Sequence, residues 1–406
     1  MKLEHPTLLT LILVASLSHS GQAQIVVRGD RVYTLAGPVI TDGMVIIRDG
    51  KIAAVGAAAE LAAPEGFVLL RAAVVTPGLV DAHSTVGLSG LFNTDHDRDH
   101  LERSTAIQPS LRAVDAYNPQ DPLVSWLRSF GVTTVHTGHA PGELISGQTI
   151  IVKTVGTTCE EALMVPDAMV VSTLGQSARK TDKKSPGTRG KMMSLLRAEL
   201  IKAREYAKKR EKEDVSKHPA RDLGLEALTA VLAREKPLLI TAHRSQDIAN
   251  ALRLAEEFEF KLILDGAAEA YLLIDQLKAA DVPIIVHPTM ARATGERENL
   301  TLENAALLRQ AGLLVALQSG YESYVPKTRV VLFEAAVAAA YGLSFEEALA
   351  SITLDAARII GVADRVGSLE VGKDGDLALY DGDPFEYTTH CIGVVIEGTV
   401  VSQEAR

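Results

Sequence analysis

Residues 76–85, Thr76-Pro-Gly-Leu-Val-Asp-Ala-His-Ser-Thr85, carry the strongest structural signal in the chain. The apolar residues that lead into Asp81 and His83 predict a buried strand with polar side chains at its end. Side chains two residues apart on a strand point the same way, so His83 and Thr85 are expected to share a face. The stretch therefore predicts one buried strand that ends with an imidazole and a hydroxyl side by side.

The middle of the chain, about residues 74–362, alternates strand-like runs with helix-like segments. This pattern favours a parallel sheet with crossover helices. The strand-like runs are residues 74–83, 133–136, 149–153, 168–172, 238–243, 261–265, 283–287 and 313–318. Eight such units predict an α/β fold, a (β/α)8 TIM-type barrel. Ser344, followed three residues later by Glu347, predicts a capping box at a helix start.

Both ends of the chain differ from this middle part. Residues 24–73 and residues 363–406 carry alternating apolar residues and turn dipeptides such as Asp49-Gly50, which predict short strands. Neither segment alone has enough strands for independent stability. We therefore expect one small composite β-sandwich, built from the N- and C-terminal segments, beside a barrel that spans residues 74–362.

Residues 1–23 predict a cleaved signal peptide. Lys2 gives a weak positive start, Thr7 to Leu17 are apolar, and Gly21-Gln22-Ala23 place small residues before a cut at Gln24. This apolar run is short for a bilayer span, and no later stretch is long and apolar enough. The prediction is an exported protein, in a bacterial periplasm, with no stable membrane insertion after cleavage. An uncleaved membrane anchor is the alternative.

The composition bounds the class of protein. The chain has 406 residues, 47% hydrophobic and 23% charged, as expected of a globular protein, and a net charge of -10 argues against nucleic acid as a partner. Only Cys159 and Cys391 are present; export permits a disulfide between them, although two isolated thiols are favoured. Whether the chain forms a homo-oligomer stays open.

Several stretches resemble the amidohydrolase superfamily, in its imidazolonepropionase-like or dihydroorotase-like branch. Residues 76–85 are similar to the family's P-G-[LFI]-[IV]-D-x-H-x-H, and residues 262–271 to its L-V-L-E-H-G-T-E-A-Y. Residues 353–377 resemble its closing helix and return to the sandwich. The resemblance implies a divalent metal, usually zinc, at the barrel mouth, a small-molecule amide-type ligand, and hydrolysis of C–N bonds in cyclic amides, small amides or dipeptides.

The expected metal ligands are only partly retained. His83 on strand one and His243 on strand five match family histidines. Four other positions, where the family has a histidine, a carboxylated lysine, a histidine and an aspartate, hold Thr85, Val171, Gly266 and Gly320. The family's strand-one aspartate, here Asp81, mainly stabilises the strand end. Two imidazoles do not complete a catalytic zinc site, so zinc binding is predicted to be weak or absent.

Three further histidines could rebuild a site with His83 and His243, namely His136, His139 and His287. Lys153 and Arg244 are candidate substrate-binding residues, and no catalytic residue is assigned. Two functions follow from the resemblance. One is a metal-dependent hydrolase with an altered site. The other is a catalytically inactive exported pseudoenzyme that uses the barrel mouth to bind a ligand or partner.

Overall fold

The computed structural model describes residues 24–91, 94–181, 184–287, 289, 291–320 and 330–406. The predicted signal peptide lies outside these residues, so export stays a prediction. Within the described ranges, none of the helices combines the length and the apolar character that crossing a membrane requires.

The described residues form seventeen strands and ten α-helices. The strands are β1 (Ile25–Val32), β2 (Ile40–Arg48), β3 (Lys51–Ala57), β4 (Val68–Pro77), β5 (Leu79–Ser84), β6 (Val132–Thr137), β7 (Ile145–Gln148), β8 (Ile150–Lys153), β9 (Leu163–Val165), β10 (Val170–Thr173), β11 (Leu238–Ala242), β12 (Leu262–Gly266), β13 (Ile284–Val286), β14 (Val315–Leu317), β15 (Leu377–Tyr380), β16 (Cys391–Ile396) and β17 (Thr399–Ser402). The helices are α1 (Pro122–Ser129), α2 (Cys159–Ala162), α3 (Arg189–Arg210), α4 (Leu223–Leu232), α5 (Ser245–Phe258), α6 (Ile274–Ala279), α7 (Asn304–Gln310), α8 (Val331–Ala340), α9 (Phe345–Ser351) and α10 (Leu354–Ile360).

The two ends of the chain meet in one sheet. Its order is β17-β16-β15-β4-β1-β2-β3, and the junction between the two ends is the antiparallel pair β4–β15, with Val75 opposite Leu379. Apolar residues from both ends, among them Val27, Val45, Leu377 and Val395, share one buried cluster on this sheet. The two-layer sandwich and the domain boundaries after residues 73 and 362 stay predictions.

The middle of the chain has the TIM-barrel-type fold with mixed α/β content. Strands β10 to β14 pair in parallel in sequence order, and β5 pairs in parallel with β6. The backbone N–H of Gly320, just after β14, donates to the carbonyl oxygen of His83 on β5 at 3.2 Å. This contact brings the carboxyl ends of β5 and β14 to the same place.

The run at residues 149–153 departs from the expected parallel order. β8 pairs antiparallel with β6, and β7 pairs antiparallel with β10. A parallel crossover needs a dozen or more residues, usually with a helix, whereas residues 138–149 hold β7 and no helix. The chain therefore turns back, and Lys153, at the end of β8, lies opposite Thr134 near the start of β6.

The barrel interior explains how the site is positioned. Alternate residues of the strands form a buried apolar cluster that includes Val80, Ile151, Val171, Leu239, Ile263, Ile285 and Ala316. Side chains two positions further along a strand point to the same side. The residues in those positions on four successive strands are Thr241, Asp265, His287 and Gln318. The apolar interior therefore ends in a polar layer at the carboxyl ends of the strands.

Two smaller expectations concern local structure. The capping box at the start of α9 is confirmed, since Ser344 and Glu347 exchange both hydrogen bonds. Cys159 and Cys391 are both free thiols, Cys159 half-buried and Cys391 buried.

Candidate functional site

A cavity of about 520 Å³ opens at the carboxyl ends of the barrel strands. Its floor is the polar layer described above. The lining residues from strand ends are His83, Thr241, His243, Asp265, His287 and Gln318, and loops add Arg103, Gln176, Ser177, Glu296 and Arg297. Active sites of this fold lie at this end of the barrel, so the cavity is the candidate active site.

A buried histidine–carboxylate pair forms the centre of this floor. The Nδ1 of His83 lies 3.0 Å from Asp265 Oδ1, and both side chains are almost fully buried. Asp265 also accepts hydrogen bonds from Gln318 Nε2 at 2.7 Å and from Thr241 Oγ1 at 2.6 Å. The Nε2 of His83 has no hydrogen-bond partner within the described part of the chain. Asp265 thus fixes the His83 ring through Nδ1, whereas Nε2 of the same ring lacks a hydrogen bond to any described residue.

Burial and mutual attraction shift the pKa values of His83 and Asp265 in opposite directions. Burial disfavours the imidazolium, but the charge of Asp265 and its hydrogen bond more than compensate, so the pKa of His83 is raised. For Asp265, burial alone would raise the pKa, but the His83 charge and the hydrogen bonds from Thr241 and Gln318 lower it below its usual value. Asp265 is therefore held as a carboxylate.

Asp81 joins the ends of two strands beneath the cavity. Its Oδ1 accepts from the backbone N–H of Ser319 at 3.0 Å and of His83 at 3.3 Å. Its Oδ2 is buried and has no partner among the described residues. Burial raises the pKa of this carboxyl to about 7. Asp81 thus fixes the strand end that carries His83.

Two imidazoles, those of His243 and His287, also line the cavity and contact each other. The rings of His243 and His287 meet edge to face, with centroids 5.1 Å apart. The guanidinium of Arg297 donates to Nε2 of His287. Burial, and then the charge of Arg297, lower the pKa of His243 to about 4, so this ring is neutral near pH 7.

Gly266 makes room for the His243 ring. Its φ is +80°, and a Cβ placed on it would lie 2.7 Å from Cε1 of His243. A histidine at position 266, as in the family pattern, would therefore need the His243 ring to move and the backbone to relax. The glycine at position 266, where the family has a histidine, therefore leaves the space that the ring of His243 occupies.

His136 and His139 do not line the cavity. Both ring nitrogens of His136 are already bonded, Nδ1 to the carbonyl oxygen of Ala82 and Nε2 to Thr149 Oγ1, each at 2.7 Å. His139 is buried, and a Cβ on Gly147 would lie 2.4 Å from its Cδ2. Burial lowers the pKa of His136 to about 3 and of His139 to about 4. Of the three suggested substitute ligands, only His287 reaches the cavity.

The two suggested substrate-binding residues are held elsewhere. The ammonium of Lys153 is buried and pairs with Asp374 and Asp376, because the antiparallel direction of β8 carries it away from the mouth. Arg244 donates to Glu298 at 2.7 Å and to the carbonyl oxygen of Gly295 at 3.2 Å. Lys153 is therefore not part of the candidate site, and Arg244 fixes a loop beside it.

The side chains present do not fit the zinc site that the resemblance implies. Among the described residues, no three His, Cys, Asp or Glu side chains are placed to hold one metal ion. Thr85 is buried and its hydroxyl is 3.3 Å from that of Ser89, and Gly266 and Gly320 offer no donor atoms. His83 is bonded to Asp265, and His287 to Arg297. No chemical step is therefore assigned to a metal.

Sequence reasoning missed the residues that organise the floor, namely Thr241, Asp265 and Gln318. Each lies two positions beyond an interior apolar residue, so strand alternation contains the signal that would have found them. Arg297 lies in a loop, and only tertiary contacts bring it to the cavity.

Three comparisons place the chain among known proteins. The profile of the Amidohydrolase family matches residues 267–402. Amidohydrolase tasK from Hapsidospora irregularis is 26% identical over 361 residues, which are 80% of this chain but only 36% of that protein. Imidazolonepropionase from Rhizobium rhizogenes is 24% identical over 86% of this chain and 90% of its own length.

The solved structures include a more similar protein. The crystal structure of an amidohydrolase from Thermotoga maritima MSB8 has a TM-score of 0.87 and 30% identity, over 94% of this chain and 100% of the solved one. Identity at this level over the whole solved chain shows the family as well as the fold. This chain therefore belongs to the amidohydrolase superfamily, in its imidazolonepropionase-like branch.

Proposed function

We propose that this chain hydrolyses a C–N bond of a small or cyclic amide and uses the His83–Asp265 pair for proton transfer. One observation carries the proposal. Nδ1 of His83 is bonded to Asp265, whereas its buried Nε2 lacks a partner among the described residues and the ring lines the cavity. Membership of the amidohydrolase family supports a hydrolase, and the substrate class is our proposal.

The arrangement supports general acid–base catalysis. Asp265 accepts the Nδ1–H of neutral His83, which leaves the lone pair of the buried Nε2 available in a ring that lines the cavity. As the oxygen of a water molecule bonds to the amide carbon, Nε2 takes its proton. The C–N bond then breaks, and the same proton passes from Nε2 to the leaving nitrogen. Thr241 and Gln318 keep Asp265 ionised and oriented throughout.

The charges around the cavity favour an amide that also carries a carboxylate. Asp265 is balanced by His83, and Glu296 is bonded to the backbone N–H groups of Gln176 and Ser177. Arg103 lines the rim and has no ion-pair partner in the described ranges. A carboxylate on the substrate would complement this guanidinium.

We also propose that the protein is exported and that its barrel is closed. The apolar run before Gln24 supports export with cleavage at that residue, and N-terminal sequencing of the mature protein tests it. The contact between Gly320 and His83 supports a barrel closed between β14 and β5. An experimental structure in which these strands are separated would contradict that closure.

Substrate screening with matched variants tests the activity. Purified protein is assayed by mass spectrometry against N-acyl amino acids, lactams and hydantoins, with and without a carboxylate. We expect turnover of a carboxylated amide and a fall in kcat/KM of about 10²–10⁴-fold in His83→Gln. His96→Gln, a change at an exposed histidine outside the cavity, should retain the activity. Binding of these compounds without turnover by the unmodified protein would favour an inactive binding protein, for which the comparisons offer no support.

A further inference from the structure

We propose that Arg297 takes the place of the metal ion in this cavity, so that a guanidinium provides the positive charge that faces the amide carbonyl oxygen. The first part, exclusion of a divalent metal, stands independently of any activity. The second part, polarisation of the carbonyl, rests on the proposed function.

The guanidinium of Arg297 contacts the ring of His287, and its Nη1 donates to Nε2 of His287. An imidazole nitrogen that accepts this hydrogen bond has no lone pair left for a metal. Since His287 is the only suggested substitute ligand that lines the cavity within the described part of the chain, this hydrogen bond keeps its Nε2 from joining His83 and His243 as a third imidazole ligand.

The residues on both sides of Arg297, which ends a short 3-10 turn, hold it in this position. We name residues 294–298 the cation arm. On one side the carboxylate of Glu296 is bonded to the backbone N–H groups of Gln176 and Ser177. On the other side Arg244 donates to Glu298 and to the carbonyl oxygen of Gly295. Arg297 is therefore anchored from both of its chain neighbours.

Gly175, just after β10, leaves room for the cation arm. Gly175 has a φ of +108°, and a Cβ on it would lie 2.2 Å from Oε1 of Glu296. Any larger residue at this position would displace the carboxylate that anchors the arm. The sequence just after β10 and the sequence of the arm are thus complementary.

The charges of the site also disfavour a metal. A guanidinium stays protonated at all working pH values, and it repels a divalent cation at short range. Thr85, Gly266 and Gly320 contribute no charge with which to attract one. Two carboxylates line the cavity among the described residues: Asp265 is hydrogen-bonded to His83, Thr241 and Gln318, and Glu296 is held by backbone N–H groups. Because the guanidiniums of Arg103 and Arg297 line the same cavity, a metal ion there would lie near two cations and two carboxylates that are already engaged.

A guanidinium can also perform one task of a metal in amide hydrolysis. The carbonyl oxygen gains negative charge as water attacks, and N–H donors aimed at that oxygen stabilise the transition state. Arginine carries five such donors in a rigid fork. Arg297 lines the same cavity as His83, so one amide could meet the base on one side and the guanidinium on the other.

Zinc titration tests the exclusion directly. Protein purified without chelator is analysed for zinc, and its zinc affinity is then measured by competition with a chromophoric chelator. We expect little zinc in the unmodified protein and a gain in zinc affinity of at least tenfold in Arg297→Met, since this change frees His287 and removes the charge. Arg103→Met removes a charge from the rim of the same cavity but no hydrogen bond to His287, so it is the matched control, with a clearly smaller gain in zinc affinity. Stoichiometric, tightly bound zinc in the unmodified protein, or no gain in Arg297→Met, would overturn the exclusion.

Kinetics separate the role of Arg297 from the proposed function. In Arg297→Ala, kcat should fall by about 10²–10³-fold with a smaller change in KM, and added guanidinium should restore part of it. Arg297→Lys keeps the charge and serves as the second variant. If no amide is hydrolysed but Arg297→Met gains zinc, the proposed function fails and the exclusion stands. If amide hydrolysis is found and kcat is unchanged in Arg297→Ala, the role in polarisation fails and the proposed function stands.

Discussion

The two ends of the barrel both bury charged groups, but they treat them differently. At the base, where the barrel meets the seven-stranded sheet, the ammonium of Lys153 is bonded to Asp374 and Asp376. Asp374 is also paired with Lys51 and Arg365. Each buried charge of this base network, which we define as these five residues, has a partner of opposite sign.

At the mouth, several buried polar atoms have no partner in the described ranges. They are Asp81 Oδ2, His83 Nε2, His243 Nδ1 and Ser319 Oγ. Buried polar groups in proteins are nearly always hydrogen-bonded, and exceptions cluster where a ligand or water completes them. The charges of the base network are therefore compensated within the protein, whereas the mouth holds polar atoms that a ligand or water could complete.

The strongest test of this comparison is removal of the central charge of the base network. Lys153→Met leaves Asp374 and Asp376 buried without their shared partner, and breaking a buried pair typically costs about 3–5 kcal/mol. We expect a loss of that size in the free energy of unfolding, measured by urea denaturation. Lys51→Met is the control, because Lys51 is half exposed and Asp374 keeps Lys153 and Arg365. A stability loss equal to that of the control would mean that the base network is not a stabilising feature.

A second test concerns the pH dependence of stability at the mouth. The pKa of Asp81 is about 7 in the folded protein and near its ordinary value of 3.8 when unfolded. Between these values the folded state holds the extra proton, so the free energy of unfolding falls as pH rises. In Asp81→Asn this slope should disappear, and the stability lost between pH 5 and pH 8 should shrink by roughly 2–3 kcal/mol.

The contribution of the base network to the free energy of unfolding should depend on pH with the opposite sign. The pKa of Asp374 is lowered: burial would raise it, but Lys153, Lys51 and Arg365 outweigh that effect. Its stabilising contribution is present above the unfolded pKa and is lost as pH falls through the folded one. Denaturation curves of both Asp→Asn variants at pH 3, 5 and 8 compare the two ends. If stability depends on pH identically in Asp81→Asn and in the unmodified protein, protonation of Asp81 does not contribute to the pH dependence of stability.

The smallest expected effect is a shift in the pH dependence of activity. The proposed reaction needs neutral His83, whose pKa is raised by Asp265. The acidic limb of kcat/KM should therefore lie above the pH expected of an ordinary histidine, and rates should rise with pH through it. In Asp265→Asn the limb should move to lower pH, because the raising charge is gone. Thr241→Val, which removes only a hydrogen bond to Asp265, should move it less. If the acidic limb of kcat/KM stays at the same pH in Asp265→Asn, the limb reports a group other than His83.

The sequence allowed the fold to be predicted further than the site. Strand alternation around residues 76–85 and the family resemblance placed His83 and His243 at the mouth, where both line the cavity. The family pattern has a histidine at position 266, where this chain has a glycine, and the carboxylate that pairs with His83 belongs to the neighbouring residue, Asp265. β8 runs antiparallel to β6 because no helix lies between these two strands, and this direction decides where Lys153 lies.

Arg297 lay beyond sequence reasoning for a different reason. The cation arm has no periodic pattern, and its position depends on residues such as Arg244 and Gln176 that are distant in the chain. The family's sequence pattern names positions on the strands that hold metal ligands. It names no position for an arginine between the strands, such as Arg297.

The pairing of β4 with β15 has a consequence for the order of folding. Only Gly78 separates β4 from β5, so the strand that bears His83 continues a strand of the seven-stranded sheet. That sheet gains its central pair, and Lys153 its two carboxylates, only from residues 374–380. During synthesis neither this sheet nor the ion pairs of Lys153 can be complete before residues 374–380 have been made, and such long-range closure is slow. We expect fragments that end before residue 374 to be less stable than the full chain, because they leave Lys153 without both of its carboxylates.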